Sequence, residues 1–104
     1  MKDRTELQTE LETLLGTRNV YFQPPEDIRM KYPCFVYERA SLSAKFADDN
    51  QRYQKYFRYQ LTYITKDPDT NGLIENVLSH FKYCTYERHF VMDGLNHEVF
   101  NLYY

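Results

Sequence analysis

The sequence predicts an α+β domain in which an antiparallel sheet of about four to five strands carries two helices on one face. Three observations predict this fold. Two segments repeat apolar residues at helical spacing, residues 53–65 alternate apolar with polar side chains, and an Asp-Gly pair joins the last two strand-like runs. At 104 residues the chain has the length of one domain, so we expect residues 1–104 to share a single core.

The first predicted element is a helix. Asp3 precedes Glu6 at the spacing of a capping box, and Gly16 is the residue type that favours the left-handed turn at a helix end. The apolar positions between them fall on one side of a helix: Leu7, Leu11, Leu14 and Leu15. This single apolar stripe predicts that the helix packs through one face.

A short strand and a loop are predicted next. Residues 20–22 resemble an edge strand, which Pro24 and Pro25 then end because proline cannot donate to a strand ladder. The loop that follows, up to Pro33, carries three large side chains: Ile28, Met30 and Tyr32. Residues 34–40 are dense in β-branched and aromatic residues and predict a second strand.

Residues 41–52 are polar and lack a clean period. The segment is too long for a tight hairpin turn, so it predicts an exposed excursion between two long strands. Residues 53–65 then give the clearest strand pattern. The apolar face takes the odd positions Phe57, Tyr59, Leu61 and Tyr63, and the opposite face takes Tyr56, Arg58, Gln60 and Thr62.

A turn-forming cluster leads into the second predicted helix, and a hairpin ends the chain. One face of the helix consists of Leu73, Ile74, Val77, Leu78 and Phe81. Residues 84–92 and 95–104 are two strands joined at Asp93-Gly94, a strong hairpin signal. The predicted order is α-β-β-β-α-β-β, with a short first strand. Strand pairing is predicted to be antiparallel because crossover helices between neighbouring strands are missing.

Charge and composition argue against several function classes. With 13 basic and 15 acidic side chains the chain is net −2, whereas proteins that hold phosphate backbones normally show a basic excess. The aromatic strand contains no glycine beside its rings, unlike RNA-binding strands on which bases stack. The N-terminal segment is charged, and runs of about 20 apolar residues are absent. The sequence therefore argues against secretion and against a membrane span. Both cysteines are expected to stay reduced in a cytosol.

The sequence offers little chemistry, and we expect no enzymatic activity, cofactor or metal. Cys84, His89 and His97 are possible zinc ligands, but their spacing matches no common structural zinc site. Asp67 and Asp69 begin a run that resembles the start of a calcium loop and then enters an apolar helix, which favours a turn. The aromatic fraction of 17%, by contrast, is high. In a chain without the residue patterns of an active-site pocket, it favours a protein whose surface binds other proteins.

Three segments carry a family resemblance: "VYFQPPEDIRMKYPCFVYERA", "FADDNQRYQKYFRYQLTYITKDPDT" and "RHFVMDGLNHEVFNLYY". Together they resemble the small tail-completion proteins of long-tailed bacteriophages, often called tail terminator or tail-to-head joining proteins. The resemblance implies a virion protein, assembled in the host cytoplasm, that forms a ring, usually a hexamer. The ring would cap the head-proximal end of the tail tube, stop tube polymerisation and present a docking surface to the head–tail connector protein. DNA would pass through it without specific binding.

On this hypothesis two loops and several rings contact neighbouring copies, the tail tube protein or the connector. The predicted interface residues are Gln23, Ile28, Met30, Tyr32, Phe46, Asp48, Asn50, Arg52, Tyr53, Tyr56, Arg58 and Tyr103. Two alternatives stay open at this point. One is a head-completion or neck connector protein of the same junction, and the other is an unrelated small binding module or enzyme.

Overall fold

The structure, a computed structural model, describes residues 3–47 and 53–104, and at residues 41–47 and 53–55 it describes the backbone alone. The fold is α+β, as predicted. Within these residues the elements are α1 (Arg4–Leu15), β1 (Val20–Phe22), β2 (Cys34–Ala47), β3 (Tyr53–Thr65), α2 (Asn71–His80), β4 (Tyr83–Met92) and β5 (Leu95–Tyr103). The five strands form one sheet in the order β1-β2-β3-β5-β4.

The first helix has the ends that its sequence predicts. The Asp3 carboxylate accepts a hydrogen bond from the Thr5 N–H at 3.2 Å, which satisfies one of the unpaired donors of the first turn. At the other end Gly16 has a φ of 83°, and its N–H donates to the Glu12 carbonyl at 2.9 Å. These local bonds, rather than tertiary contacts, set the limits of α1.

The sheet is mixed rather than wholly antiparallel. β2–β3, β3–β5 and β4–β5 pair antiparallel, as predicted, but β1 pairs parallel to β2, with Val20 opposite Phe35. The loop formed by residues 23–33 makes this pairing possible because it carries the chain back along the sheet edge without a helix. The last part of this loop is held against β1, because the Lys31 N–H donates to the Tyr21 hydroxyl at 3.0 Å.

The prediction of an exposed excursion at residues 41–52 was wrong for residues 41–47, which continue β2. Two register shifts, between Arg39 and Ser41 and between Leu42 and Lys45, interrupt the alternation of side chains and hide the strand period. We call residues 41–47 paired with residues 53–57 the β2–β3 ribbon. Arg58 is the last register partner of β5 on β3, and Phe57 still exchanges two backbone hydrogen bonds with Tyr104, at 3.1 and 3.0 Å. The ribbon extends past this point and past β1, which pairs only with residues 35–37.

The core lies between the sheet and the two helices, which cover the same face. It is one cluster, to which α1 contributes Leu7 and Leu11, α2 contributes Val77 and the strands contribute most of the rest: Val20, Phe35, Tyr37, Tyr59, Leu61, Phe81, Phe100, Leu102 and Tyr104. Tyr59 and Leu61 are buried as the odd-position pattern of β3 predicts, and Phe57 and Tyr63 are partly buried beside them. His80 and Glu10 lie 2.8 Å apart and join the two helices.

The β4–β5 turn confirms the hairpin prediction. Asp93 and Gly94 have φ values of 55° and 74°, positive at both central positions, as a type I′ turn requires. Only a residue that tolerates the left-handed region fits at the second position, because a Cβ there crowds the following carbonyl. The strands on either side begin and end within one residue of the predicted limits.

Two glycines therefore make a matched pair for a stability test. Gly94→Ala should lower the free energy of unfolding by about 1–2 kcal/mol because alanine is strained at this positive φ. Gly72→Ala should raise it by about 0.5–1 kcal/mol, since Gly72 is helical and open space surrounds the position of a Cβ. Urea unfolding of both variants measures the two signs. A stabilising Gly94→Ala would contradict the assigned turn.

Candidate interaction surface

The face of the sheet opposite the helices carries the polar and aromatic side chains of β3, β4 and β5. We call it the open sheet face. Strand register brings three of its side chains into one row, because Arg58 is opposite Tyr103 and Tyr103 is opposite Tyr83. The Tyr56 ring adds to this row, with its centroid 5.3 Å from that of Tyr83 in an edge-to-face arrangement. Together Tyr56, Arg58, Tyr83 and Tyr103 form what we call the aromatic cluster.

Polar contacts hold the base of the aromatic cluster in place. The Arg58 guanidinium donates to Oδ1 of Asn101 at 3.2 Å, and the amide of Asn101 donates to the Glu87 carboxylate at 3.3 Å. A planar guanidinium in the same row as tyrosine side chains brings charge, aromatic surface and hydrogen-bond donors together on one patch. This combination is typical of the centre of protein–protein interfaces.

The predicted residues Tyr56, Arg58 and Tyr103 thus come together, but sequence reasoning missed Tyr83. The hairpin sequence predicts a register between β4 and β5 that is wrong by one position at Tyr83. Counting back from the Met92–Leu95 pair without interruption would place Tyr83 opposite Tyr104, whereas a register shift between Tyr86 and Arg88 places it opposite Tyr103. The extra residue of this bulge is what completes the row.

The rings of the aromatic cluster are half-buried in the single chain, so the excess of uncovered aromatic surface is smaller than the sequence suggests. The edge-to-face contact of Tyr56 and Tyr83 accounts for part of this cover. Among the tyrosine and phenylalanine residues whose side chains are described, the exposed ones are Tyr32 (38%) and Tyr86 (39%). Half-buried tyrosines keep part of each side chain accessible to a partner.

The loop of residues 23–33 divides into an anchor and an exposed part. Gln23 fixes the start of the loop, because its N–H donates to the Tyr37 carbonyl at 3.0 Å and its side chain accepts from the Arg39 N–H at 3.3 Å. Ile28 and Tyr32 are exposed and Met30 is half-buried. The loop therefore offers a second apolar patch, beside β1 and β2 and separate from the aromatic cluster.

The remaining predicted interface residues lie on or near the ribbon. Phe46 and Tyr53 belong to β2 and β3, where Phe46 is the register partner of Gln54 and Tyr53 that of Ala47. Asp48, Asn50 and Arg52 lie outside the described residues. The aromatic cluster and the ribbon are continuous through β3, whereas the loop patch lies on the far side of β2.

Sequence reasoning also missed two features of the β4–β5 hairpin. Val91 and Met92 are 60% and 54% exposed near its turn. Glu98 is only 3% exposed although its side chain is acidic, because it occupies the strand face that carries the buried residues Phe100 and Leu102. Its carboxylate accepts from the Tyr86 hydroxyl at 2.8 Å, and burial together with this carboxylate raises the pKa of Tyr86 to about 12.

The possible zinc ligands do not converge. Register places His89 opposite Glu98 and His97 opposite Phe90, so the two histidines occupy opposite faces of the hairpin. The His97 ring stacks on Phe90 with centroids 4.5 Å apart. Among the described residues, no three histidine, cysteine or acidic side chains are grouped so that they could hold a metal ion.

The two cysteines are held in buried surroundings, and the acidic residues Asp67 and Asp69 form a hydrogen-bonded turn. Burial raises the pKa of Cys34 to about 12 and that of Cys84 to about 11, so both thiols stay protonated and weakly nucleophilic at neutral pH. The Asp67 carboxylate accepts from the Asp69 N–H at 2.9 Å, which is the turn that the sequence favours over a calcium loop.

Comparison with protein-family models and with curated proteins finds no match to this chain. Neither helix in the described part of the chain is long and apolar enough to cross a membrane. The interaction surface therefore has to be interpreted from its own geometry and chemistry.

Proposed function

We propose that this chain is a structural virion protein that forms a ring on the head-proximal end of a phage tail tube. The ring stops tube polymerisation and provides the docking surface for the head–tail connector protein. The observation that carries the proposal is the aromatic cluster on a helix-free sheet face, directly beside the two-stranded ribbon. The sequence resemblance described above supplies the identity of the assembly.

The composition of the aromatic cluster supports an assembly role. Tyrosine and arginine are enriched among the residues that dominate binding energy at interfaces, and they act when neighbours exclude water from them. Three tyrosines and one arginine share this patch, and each is half-buried before any partner binds. Partial order in the free chain lowers the entropy that association has to overcome.

The position of the exposed surfaces supports a ring rather than a two-fold dimer. The helices cover one sheet face, while the aromatic cluster lies on the other and the loop patch lies beyond β2. Surfaces of different composition on different sides favour heterologous contacts, which close into rings when the rotation between copies allows. A net charge of −2 suits a channel through which DNA passes without being held. This role requires no catalytic group or cofactor.

Tyr56→Ala should weaken association by about 2 kcal/mol or more, which is roughly a 30-fold higher dissociation constant. Native mass spectrometry or light scattering of the purified chain, alone and with its tail tube protein, measures the effect. Tyr56→Phe is the matched control, since it keeps the ring contact with Tyr83 and should retain most of the association. A wild-type chain that stays monomeric even with the tube protein would contradict the proposal.

A particle assay tests the position of the ring. Particles made without this chain should have overlong or headless tails, because tube growth is not stopped. Full heads that leak DNA would instead identify a protein that closes the connector, and the tail-end assignment would fail. The copy number of the chain in intact particles, measured by quantitative mass spectrometry, gives the ring size.

A further inference from the structure

Glu98 on β5 carries its carboxyl group in buried surroundings. Its side chain is 3% exposed, and its register partners are Tyr63 on β3 and His89 on β4. A carboxylate removed from water is costly unless a positive charge and hydrogen bonds compensate for it. Among the described residues, the basic side chain within ion-pair distance of Glu98 is that of His89, and an imidazole is charged only when protonated. The surroundings of Glu98 therefore favour a bound cation.

The imidazole of His89 faces two oxygen atoms of β5 with a single nitrogen. Its Nε2 lies 3.4 Å from Oε1 of Glu98 and 3.2 Å from Oδ1 of Asn96. Both distances are longer than the roughly 2.9–3.0 Å at which N–H···O hydrogen bonds are most common. Because Nε2 carries at most one proton, it serves two acceptors poorly.

The same three atoms have the spacing of ligands around a metal ion. Zinc binds nitrogen and oxygen ligands at about 2.0–2.2 Å, so two ligands at a tetrahedral angle lie about 3.3–3.5 Å apart. The distances of 3.4 and 3.2 Å from Nε2 agree with this spacing within about 0.1 Å. The other close histidine–glutamate pair differs, because Nε2 of His80 and Oε1 of Glu10 are 2.8 Å apart, as in an ordinary hydrogen bond.

Tyr86 orients the carboxylate of Glu98. Its hydroxyl donates to Oε2 at 2.8 Å, whereas Oε1 is the oxygen that lies near His89. Burial is the first cause that raises the pKa of Tyr86 to about 12, so the hydroxyl keeps its proton at neutral pH and remains a donor. Carboxylates that bind metal ions are commonly held by such a hydrogen bond.

We propose that His89, Asn96 and Glu98 form a binding site for a divalent transition-metal ion, with zinc as the expected occupant. One imidazole nitrogen and two oxygens suit zinc better than calcium or magnesium, which take oxygen ligands. Sequence spacing misses this site because its third donor is an amide oxygen rather than a cysteine or histidine. The ion ties β4 to β5 near the hairpin turn. The site is independent of the proposed ring, since it uses no residue of the aromatic cluster.

Isothermal titration calorimetry of the untagged chain with zinc chloride measures the site. One ion per chain should bind. His89→Gln should weaken binding by about 100-fold, because the nitrogen ligand is lost from an exposed position that tolerates glutamine. Tyr86→Phe should weaken binding by about tenfold, because Glu98 loses the hydrogen bond that orients it. Far-ultraviolet circular dichroism checks that both variants are folded.

The other two histidines of the chain supply matched controls. His97 lies on the opposite face of the hairpin, where its ring stacks on Phe90, and His80 lies on α2. His97→Gln and His80→Gln should bind zinc as the wild type does. Asn96→Ala should weaken binding by about tenfold, and an unchanged affinity would contradict the three-donor site. The inference is overturned if the wild type binds no zinc at millimolar concentration, or if a control loses as much affinity as His89→Gln.

Discussion

Phe100→Ala should lower the free energy of unfolding by about 3–5 kcal/mol, a large part of the total stability of a small domain. Phe100 is fully buried on β5, which lies between β3 and β4, and it is opposite Leu61 of β3 and Tyr86 of β4. Its ring centroid lies 5.6 Å from that of Tyr86. Alanine would leave a cavity under the helices that neighbouring side chains fill only in part.

Met92→Ala is the matched control on the same hairpin. Met92 is 54% exposed, so its truncation should change the free energy of unfolding by no more than about 0.5 kcal/mol. Urea denaturation followed by far-ultraviolet circular dichroism measures both variants. Equal and small effects at the two positions would contradict the placement of Phe100 in the core.

Stability should fall steeply as the pH rises above about 9. Burial raises the pKa of Cys34 to about 12, from an ordinary value near 9. The unfolded chain releases this proton above pH 9 while the folded chain keeps it, so unfolding becomes easier with each further rise. The contribution is complete below pH 9 and is lost progressively up to pH 12. One such proton corresponds to about 1.4 kcal/mol per pH unit.

Several tyrosines add to this alkaline loss. The pKa values of Tyr37, Tyr86 and Tyr104 are all raised, with burial as the first cause in each case. Their tyrosinate absorption near 295 nm should therefore appear together with unfolding rather than at the ordinary pKa near 10. Spectrophotometric titration of the native chain, compared with the chain in denaturant, measures the difference.

Cys34→Ala isolates the thiol contribution. The variant should be less stable than the wild type at pH 8, because it loses buried volume, yet its stability should fall more gently between pH 8 and pH 10.5. Denaturant titrations at the two pH values give both slopes. An unchanged slope would mean that the thiol ionises as readily in the folded chain as in the unfolded one.

The parts of the fold that the sequence predicted are those that depend on near neighbours. Asp3 and Gly16 limit α1 through bonds to residues two and four positions away, and Asp93-Gly94 forms its turn through its own φ angles. The alternation of β3 predicted the burial of Tyr59 and Leu61 because its pleat is regular over that stretch. Each of these features is decided within a few residues of chain.

Features that depend on distant partners were not predictable in this way. The continuation of β2 to Ala47 depends on pairing with β3 through two register shifts, and the parallel pairing of β1 depends on where the loop of residues 23–33 returns the chain. The burial of Glu98 depends on Tyr86, twelve positions earlier. In the candidate site, the sequence named three residues of the aromatic cluster, and the bulge in β4 added Tyr83.

The sequence by itself determined the kind and order of the elements, the apolar faces of both helices and of β3, and a charge balance unsuited to holding phosphate backbones. Only the tertiary structure decided which distant residues meet: the aromatic cluster on the open sheet face, the register of the β2–β3 ribbon and the contact between His80 and Glu10 that joins the two helices. Periodicity and caps are properties of local backbone geometry. Strand register and the approach of two helices are set by packing between residues far apart in the chain.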